Sequence, residues 1–206
     1  MLRRALILTH RYLGIPLSFL FVLWFVTGSA MIYGGGMPTL SAQARLERLP
    51  ALDLAAVRYT PSAAAAQAAS GFGRVSVTTV QGRPAYRFAS PYGTATVFAD
   101  NNEPLDEVDV DAAREVAAEF LSAPATSIGL ERTLGRVDQW TLQMSRDLPL
   151  HKFTVDDGAG TEVYVSPHSG EVRLVTTTKT RTLAWIATIP HWFYITPLRT
   201  NQPLWY

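Results

Sequence analysis

YLGIPLSFLFVLWFVTGSAMIY, residues 12–33, carries no charged side chain and consists almost entirely of apolar residues. At 1.5 Å per residue, a helix of this length spans about 33 Å, which is enough to cross the hydrocarbon core of a bilayer. Arg3, Arg4 and Arg11 precede the stretch, and the next basic residue is Arg45. Under the positive-inside rule, this asymmetry places the N-terminus in the cytoplasm and everything after the stretch outside it, which in a bacterium is the periplasm.

The same stretch fits a second interpretation, a cleaved signal peptide, because small residues around SAMIYGGG and LSAQA offer cleavage sites. The length of the stretch, with Trp24 inside it and Tyr12 and Tyr33 at its ends, is better suited to a membrane anchor. We therefore expect a single-pass protein of the bacterial inner membrane, with the lipid bilayer as a partner, a cytoplasmic N-terminus and its bulk in the periplasm.

The composition argues against several classes of function. The 206 residues include 18 Lys and Arg against 17 Asp and Glu, a net charge of +1 that does not favour a nucleic-acid partner. There is no cysteine, so disulfides, thiolate catalysis and cysteine metal sites are not available. HExxH, GxSxG, phosphate-binding GxxxxGK and EF-hand patterns are absent from the sequence, and we predict neither a catalytic residue nor a metal site.

Beyond the apolar stretch the chain repeats itself. Apolar residues alternate with polar ones in the repeated segments, which predicts half-buried antiparallel strands. The alignment places Phe88 on Phe153 and Arg87 on Lys152. The matching segments are VSVTTVQGRPAYRF (75–88) with WTLQMSRDLPLHKF (140–153), and TATVFADNNEPL (94–105) with TEVYVSPHSGEV (161–172).

An alanine-rich segment precedes each copy, PSAAAAQAAS at 61–70 and DAAREVAAEFL at 111–121. Each copy is therefore predicted to be a helix followed by three strands, and the fold class is α+β, with one N-terminal transmembrane helix and two helix-plus-antiparallel-sheet units. In the second helix, the apolar face that should cover the sheet comprises Ala113, Val116, Ala117, Phe120 and Leu121.

The C-terminal part contains IPHWFYITPLR (189–199), in which Pro190 and Pro197 should prevent one continuous helix. Its aromatic residues are typical of the membrane–water interface, and we predict an elbow in the outer headgroup layer. The predicted domains are 1–33, cytoplasmic tip and transmembrane helix; 34–59, linker; 60–108, first unit; 109–178, second unit; and 179–206, aromatic interfacial elbow.

Three segments in this order resemble the PepSY-associated transmembrane family: HRYLGIPLSFLFVLWFVTG near the start, TEVYVSPHSGEV, and RTLAWIATIPHWFYITPLR near the end. The resemblance covers nearly the whole chain and identifies the two units as PepSY-like. Members of this family carry an outer PepSY portion between their first and second membrane helices. Because this chain stops at NQPLWY, residues 201–206, it is expected to be truncated before its second transmembrane helix.

The resemblance implies two alternative functions. Some relatives are haem-containing inner-membrane reductases that act on ferric siderophores, so the chain would be the membrane-anchored periplasmic PepSY portion of such a reductase, linked to iron handling. Other PepSY units occur in the propeptides of metallopeptidases, which they are proposed to inhibit or regulate, so the alternative is a non-catalytic anchored module that binds or regulates a partner protein such as a peptidase. Partners would then be further transmembrane helices or that protein.

The four histidines are the obvious candidate cofactor ligands. His151 lies on a predicted strand and His168 in a predicted turn. An amphipathic strand position and turn formation account for these two histidines without a role as ligands. The resemblance implies that His10, at the cytoplasmic end of the anchor, and His191, in the elbow, are haem ligands; interfacial positions explain them equally well. Since His10 to Tyr33 rises about 35 Å, one iron could not join the two. Haem binding is therefore expected for a full-length form with further helices, and none for this chain alone.

Overall fold

The computed structural model describes residues 2–68, 73–91 and 93–205, with the side chains of residues 204 and 205 excluded. It has two compact units, one formed by Met1–Pro38 with Thr178–Tyr206 and the other by Thr39–Thr177. The helices are α1 (Leu2–Gly34), α2 (Ala42–Leu46), α3 (Pro61–Ala65), α4 (Val110–Leu121), α5 (Thr178–Ile186), α6 (Thr188–Trp192), α7 (Thr196–Arg199) and α8 (Gln202–Trp205). The strands are β1 (Arg74–Val80), β2 (Arg83–Ser90), β3 (Gly93–Phe98), β4 (Ile128–Leu134), β5 (Leu150–Val155), β6 (Glu162–Ser166) and β7 (Glu171–Thr176).

The first unit is dominated by α1, a helix of 33 residues that begins well before the predicted apolar stretch. Its most apolar window has a mean hydropathy of 2.0, and most of its large apolar side chains are exposed. By length and composition, α1 can cross a membrane, and a signal sequence near an N-terminus has the same properties. In the described part of the chain it is the one helix with this character.

Two antiparallel sheets form the second unit, which bears out the predicted α+β class. The first sheet has the order β1-β2-β3. Phe88 of β2 pairs with Val75 of β1 and Ala95 of β3. Its core is small: Phe88, Tyr86, Val97 and Ala99 pack with Ala64 of the five-residue helix α3.

The second sheet has the order β4-β5-β6-β7 and a larger core. Asp109 caps α4 by accepting a hydrogen bond from the backbone N–H of Ala112 at 2.8 Å, and Ser122 ends the helix in the left-handed region. The predicted apolar face of α4 is confirmed, since Ala113, Ala117 and Phe120 are buried against the sheet. The strands of the second sheet contribute six buried residues to this core: Ile128, Phe153, Val155, Val163, Val165 and Val172.

The predicted strand at the start of WTLQMSRDLPLHKF is wrong. Residues 140–147 form turns and a short 3-10 helix, and β4 supplies the missing strand. Phe153 pairs with Leu130 of β4 and Val163 of β6, so Val163, and not the predicted Glu162, is the counterpart of Ala95. The loop over residues 135–149 covers the other face of the second sheet, where Trp140, Met144 and Leu148 pack on Leu134, Leu150, Tyr164 and Leu174.

β4 forms a free edge of this sheet in the described part of the chain, and its register shifts between Leu130 and Arg132, as in a β-bulge. Residues 39–59, which lie in the predicted linker, pack on the body of the unit. Leu40 contacts the core beneath α4, and the backbone N–H groups of Arg58 and Tyr59 donate to the carbonyl of Ala99 at 2.9 and 3.0 Å.

Candidate functional site

The segment that carries His191 is a chain of short helices. As predicted, it is not one continuous helix: α5, α6 and α7 are separate, and Phe193 ends α6 with φ 49° and ψ 41°, in the left-handed region. Pro197 lies in the first turn of α7, where the missing backbone N–H has no helical acceptor to lose. His191 is therefore held on a single turn of helix with a fixed direction.

His191 packs directly on α1. Its Nδ1 lies 3.0 Å from the backbone carbonyl oxygen of Trp24 and 3.3 Å from Oγ1 of Thr27. The imidazole stacks on the indole of Trp24, with ring centroids 5.0 Å apart and planes within 6°. A Cβ on Gly28 would lie 2.8 Å from Cε1 of His191, so the ring approaches α1 as closely as it does because residue 28 has no side chain.

The contacts determine which nitrogen carries the proton. A carbonyl oxygen only accepts hydrogen bonds, so Nδ1 of His191 must donate to Trp24. The hydroxyl of Thr27 donates to the carbonyl of Leu23 at 2.7 Å, which leaves its lone pairs towards the ring. Nε2 has no hydrogen-bond partner among the described residues. When the ring is neutral, this arrangement puts the lone pair on Nε2, as in metal-binding histidines that a backbone carbonyl orients.

An apolar groove of about 290 Å³ lies beside this histidine on the same unit. It is formed where Pro190 of α6 and Phe193, which ends that helix, meet the middle of α1. Its lining residues are Leu20, Phe21, Leu23, Trp24, Pro190 and Phe193, all apolar. Trp24 and Pro190, the two neighbours of the imidazole, border the groove, and its apolar lining is typical of a site for an apolar group.

His10 and His191 are not brought together. His191 is level with Trp24 to Gly28, about two turns before α1 ends at Gly34, and not at the end of the helix where the sequence placed it. His10 is exposed on α1, 17 residues before Thr27, which corresponds to about 25 Å along the axis. This distance is shorter than the predicted 35 Å but still far beyond what one metal ion joins.

The other two histidines have polar partners in the second unit. His151 lies in β5, is buried, and has Nδ1 2.9 Å from Oγ1 of Thr133. His168 lies in the turn between β6 and β7, with Nδ1 3.2 Å from Oε1 of Glu107. Both occupy the strand and turn positions that the sequence predicted. In the residues that the structure describes, no three His, Asp or Glu side chains group as a metal site.

A buried polar cluster under the 135–149 loop was not predicted. Nζ of Lys152 lies 2.7 Å from Oε2 of Glu131 and 3.2 Å from Oε1 of Glu162. The hydroxyl of Tyr164 lies 3.0 Å from Oε2 of Glu162 and 3.2 Å from Oδ2 of Asp138. Burial raises the pKa of Tyr164, and the charges of Asp138 and Glu162 raise it further, so this hydroxyl stays protonated and donates.

A comparison of the chain with known protein families, with curated proteins and with solved structures finds no match. The resemblance to the PepSY-associated family therefore rests on the three quoted segments, and the functions that it implies are proposals.

Proposed function

We propose that the chain is a membrane-anchored protein of the bacterial inner membrane, with α1 as the anchor and residues 39–177 in the periplasm. The length and apolar surface of α1 support this proposal. Its orientation is supported by the three arginines at positions 3, 4 and 11, since the next basic residue is Arg45.

Fusion of a reporter after Thr180 tests the orientation and the anchor together. A reporter that is active only outside the cytoplasm should be active, and the protein should stay in the membrane fraction after alkaline washing. Activity of a cytoplasmic reporter at the same position would contradict the orientation. A soluble mature product that starts beyond Ala30 would show that α1 is a signal sequence.

We further propose that this chain is the PepSY portion of a haem-type reductase linked to iron or siderophore handling, with His191 as a haem ligand. The hydrogen bond from Nδ1 of His191 to the carbonyl of Trp24 carries the proposal, because it leaves the Nε2 lone pair for a metal. The apolar groove beside His191 also favours the proposal, because its lining could contact the apolar edge of a porphyrin. Bound haem would supply one-electron transfer across the membrane.

His10 is the second proposed ligand, for a separate haem. Its distance along α1 from the His191 contact is about 25 Å at 1.5 Å per residue, so each histidine needs a further ligand at its own level. Such ligands would come from the membrane helices that the resemblance implies. The role of this chain's own residues is to hold the imidazole of His191 and to exclude water from the groove.

The test is a reduced-minus-oxidised absorption spectrum of the purified protein in detergent. The 206-residue chain should show no low-spin bis-histidine signal, and a form extended through further membrane helices should show one. In the extended form, His191→Ala and His10→Ala should each lose about one haem per chain, and His168→Ala, the matched control in the second unit, should lose none.

Gly28→Val gives a sharper test of the His191 site, because it keeps the imidazole and displaces it from α1. It should reduce the haem content as His191→Ala does. A stoichiometric signal from the 206-residue chain would contradict the separation argument. An extended form without haem would favour the alternative, an anchored module that binds or regulates a partner such as a peptidase.

A further inference from the structure

A polar cleft of about 560 Å³ separates the two repeats within the unit formed by Thr39–Thr177. One wall comes from β2 and β3 of the first repeat. The other comes from β7, the turn before it and the loop over residues 143–148 of the second repeat. The side chains that characterise it are Arg87, Arg146, Arg173, Ser169, Gln143 and Thr94.

The floor of the cleft is an alternating chain of charges. Arg87 is paired with the buried carboxylate of Glu171 and donates to the carbonyl oxygen of Ser169 at 3.0 Å. Arg173 lies 3.0 Å from Asp147 and 3.6 Å from Glu171. The paired groups form a rigid base, because the two carboxylates hold both guanidinium groups in place.

Positive charge is in excess at this base. Arg146 lines the cleft, is exposed, and forms no ion pair with any described residue, so three guanidinium groups face two carboxylates. Arg45, which lines a neighbouring pocket together with Glu171, interacts electrostatically with both of these carboxylates. Burial lowers its pKa, Glu171 opposes this, and the neighbouring charges of Arg173 and Arg87 lower it further. The base therefore favours the approach of a negative group.

Two buried donors of the cleft have no partner among the described residues. Ser169 is 7% exposed and its hydroxyl makes no hydrogen bond, and Nε of Arg87 is also buried without one. A buried polar group without a partner costs about 1–3 kcal/mol, a cost that a ligand which accepts hydrogen bonds would remove. A hydroxyl and guanidinium groups that face one cleft match the oxygens of a phosphate or a carboxylate.

We propose that this cleft binds an oxyanion, the phosphate or carboxylate group of a small soluble molecule or of a lipid headgroup. Arg146 and the hydroxyl of Ser169 are the groups that contact it, and the pairs of Arg87 with Glu171 and Arg173 with Asp147 position the site. This proposal is independent of the haem proposal, since the cleft and the groove beside His191 belong to different units.

The test is calorimetric titration of the full chain in neutral detergent. Inorganic phosphate and citrate probe the soluble source. Short-chain phosphatidylglycerol probes the lipid source, with short-chain phosphatidylcholine as its zwitterionic control. Saturable binding of phosphate or citrate would assign the site to a soluble oxyanion, and binding of phosphatidylglycerol alone would assign it to a headgroup. No saturable binding of any anionic probe would overturn the proposal.

Variants locate the binding in the cleft. Arg146→Gln should raise the dissociation constant about tenfold and Ser169→Ala about fivefold, as expected for the loss of one charged and one neutral hydrogen bond. Arg136→Gln, which removes an exposed arginine outside the cleft, should leave it unchanged. Unfolding midpoints without ligand verify that each variant is folded. Equal affinity in Arg146→Gln, Ser169→Ala and the unmodified chain would also overturn the proposal.

Discussion

Replacement of Phe120 by alanine should lower the free energy of unfolding of residues 39–177 by about 3–5 kcal/mol, the range for deletion of a buried aromatic side chain. Phe120 is 6% exposed and belongs to the core between α4 and the second sheet. The guanidinium of Arg48 also lies 5.3 Å from its ring centroid, so the ring is covered on the solvent side too. The cavity left behind is bordered by parts of the helix and sheet that cannot collapse freely.

The measurement is urea unfolding of a fragment of residues 39–177, which should unfold in one cooperative transition because its core is internal to that unit. Glu115→Ala, on the exposed face of the same helix, is the control and should change the free energy by less than about 0.5 kcal/mol. A loss below about 1 kcal/mol for Phe120→Ala would mean that α4 does not cover the sheet in solution.

Lys152→Met should destabilise the same fragment by about 3 kcal/mol. Lys152 is 6% exposed, and its ammonium lies between the carboxylates of Glu131 and Glu162. Methionine fills nearly the same volume, so the loss comes from two carboxylates that are left facing each other without a cation. The expected value is at the lower end of about 3–5 kcal/mol for a broken buried pair, because water reaches part of Glu131.

A second substitution separates this charge effect from packing. Glu162→Gln added to Lys152→Met should recover at least half of the lost stability, since the amide oxygen can still accept from Tyr164. If Lys152→Met costs less than about 1 kcal/mol, or if the double variant is no more stable than the single one, the ammonium does not hold this cluster together.

The parts of the fold that the sequence predicts are those with a strong local signal. The stretch inside α1 is apolar and free of charged residues along its whole length, and α4 combines an aspartate cap with apolar residues at helical spacing. The match of Phe88 with Phe153 holds because both residues are buried at the centre of a sheet. In each case, the pattern depends on neighbours in the chain.

The strand β4 was missed because IGLERTL lacks the alternation that marks a half-buried strand. Five of its seven residues are exposed, and the bulge interrupts its period. The 140–147 segment was mistaken for a strand because Trp140 and Met144 are apolar for a different reason. Both side chains belong to a loop that packs on one face of the second sheet. A sequence pattern does not distinguish apolar residues of such a loop from apolar residues of a strand.

The candidate site was predicted by residue type and not by geometry. Its histidine could be named from the sequence, but the contact of His191 with Trp24 joins residues 167 positions apart, and only the fold brings them together. Gly28 and the unpartnered hydroxyl of Ser169 carried no signal of their own. A small residue in an apolar helix and a serine in a turn are common, and their meaning depends on what packs against them.

The bulge in β4 also bears on self-association. An open strand edge offers unpaired N–H and C=O groups to a second molecule, which is how sheets grow into aggregates. The shifted register between Leu130 and Arg132 breaks the regular spacing of those groups, and the adjacent charges of Glu131 and Arg132 must lose water before another strand can approach. A chain that has no disulfide to keep it closed thus carries, at this edge of its larger sheet, a built-in barrier to polymerisation.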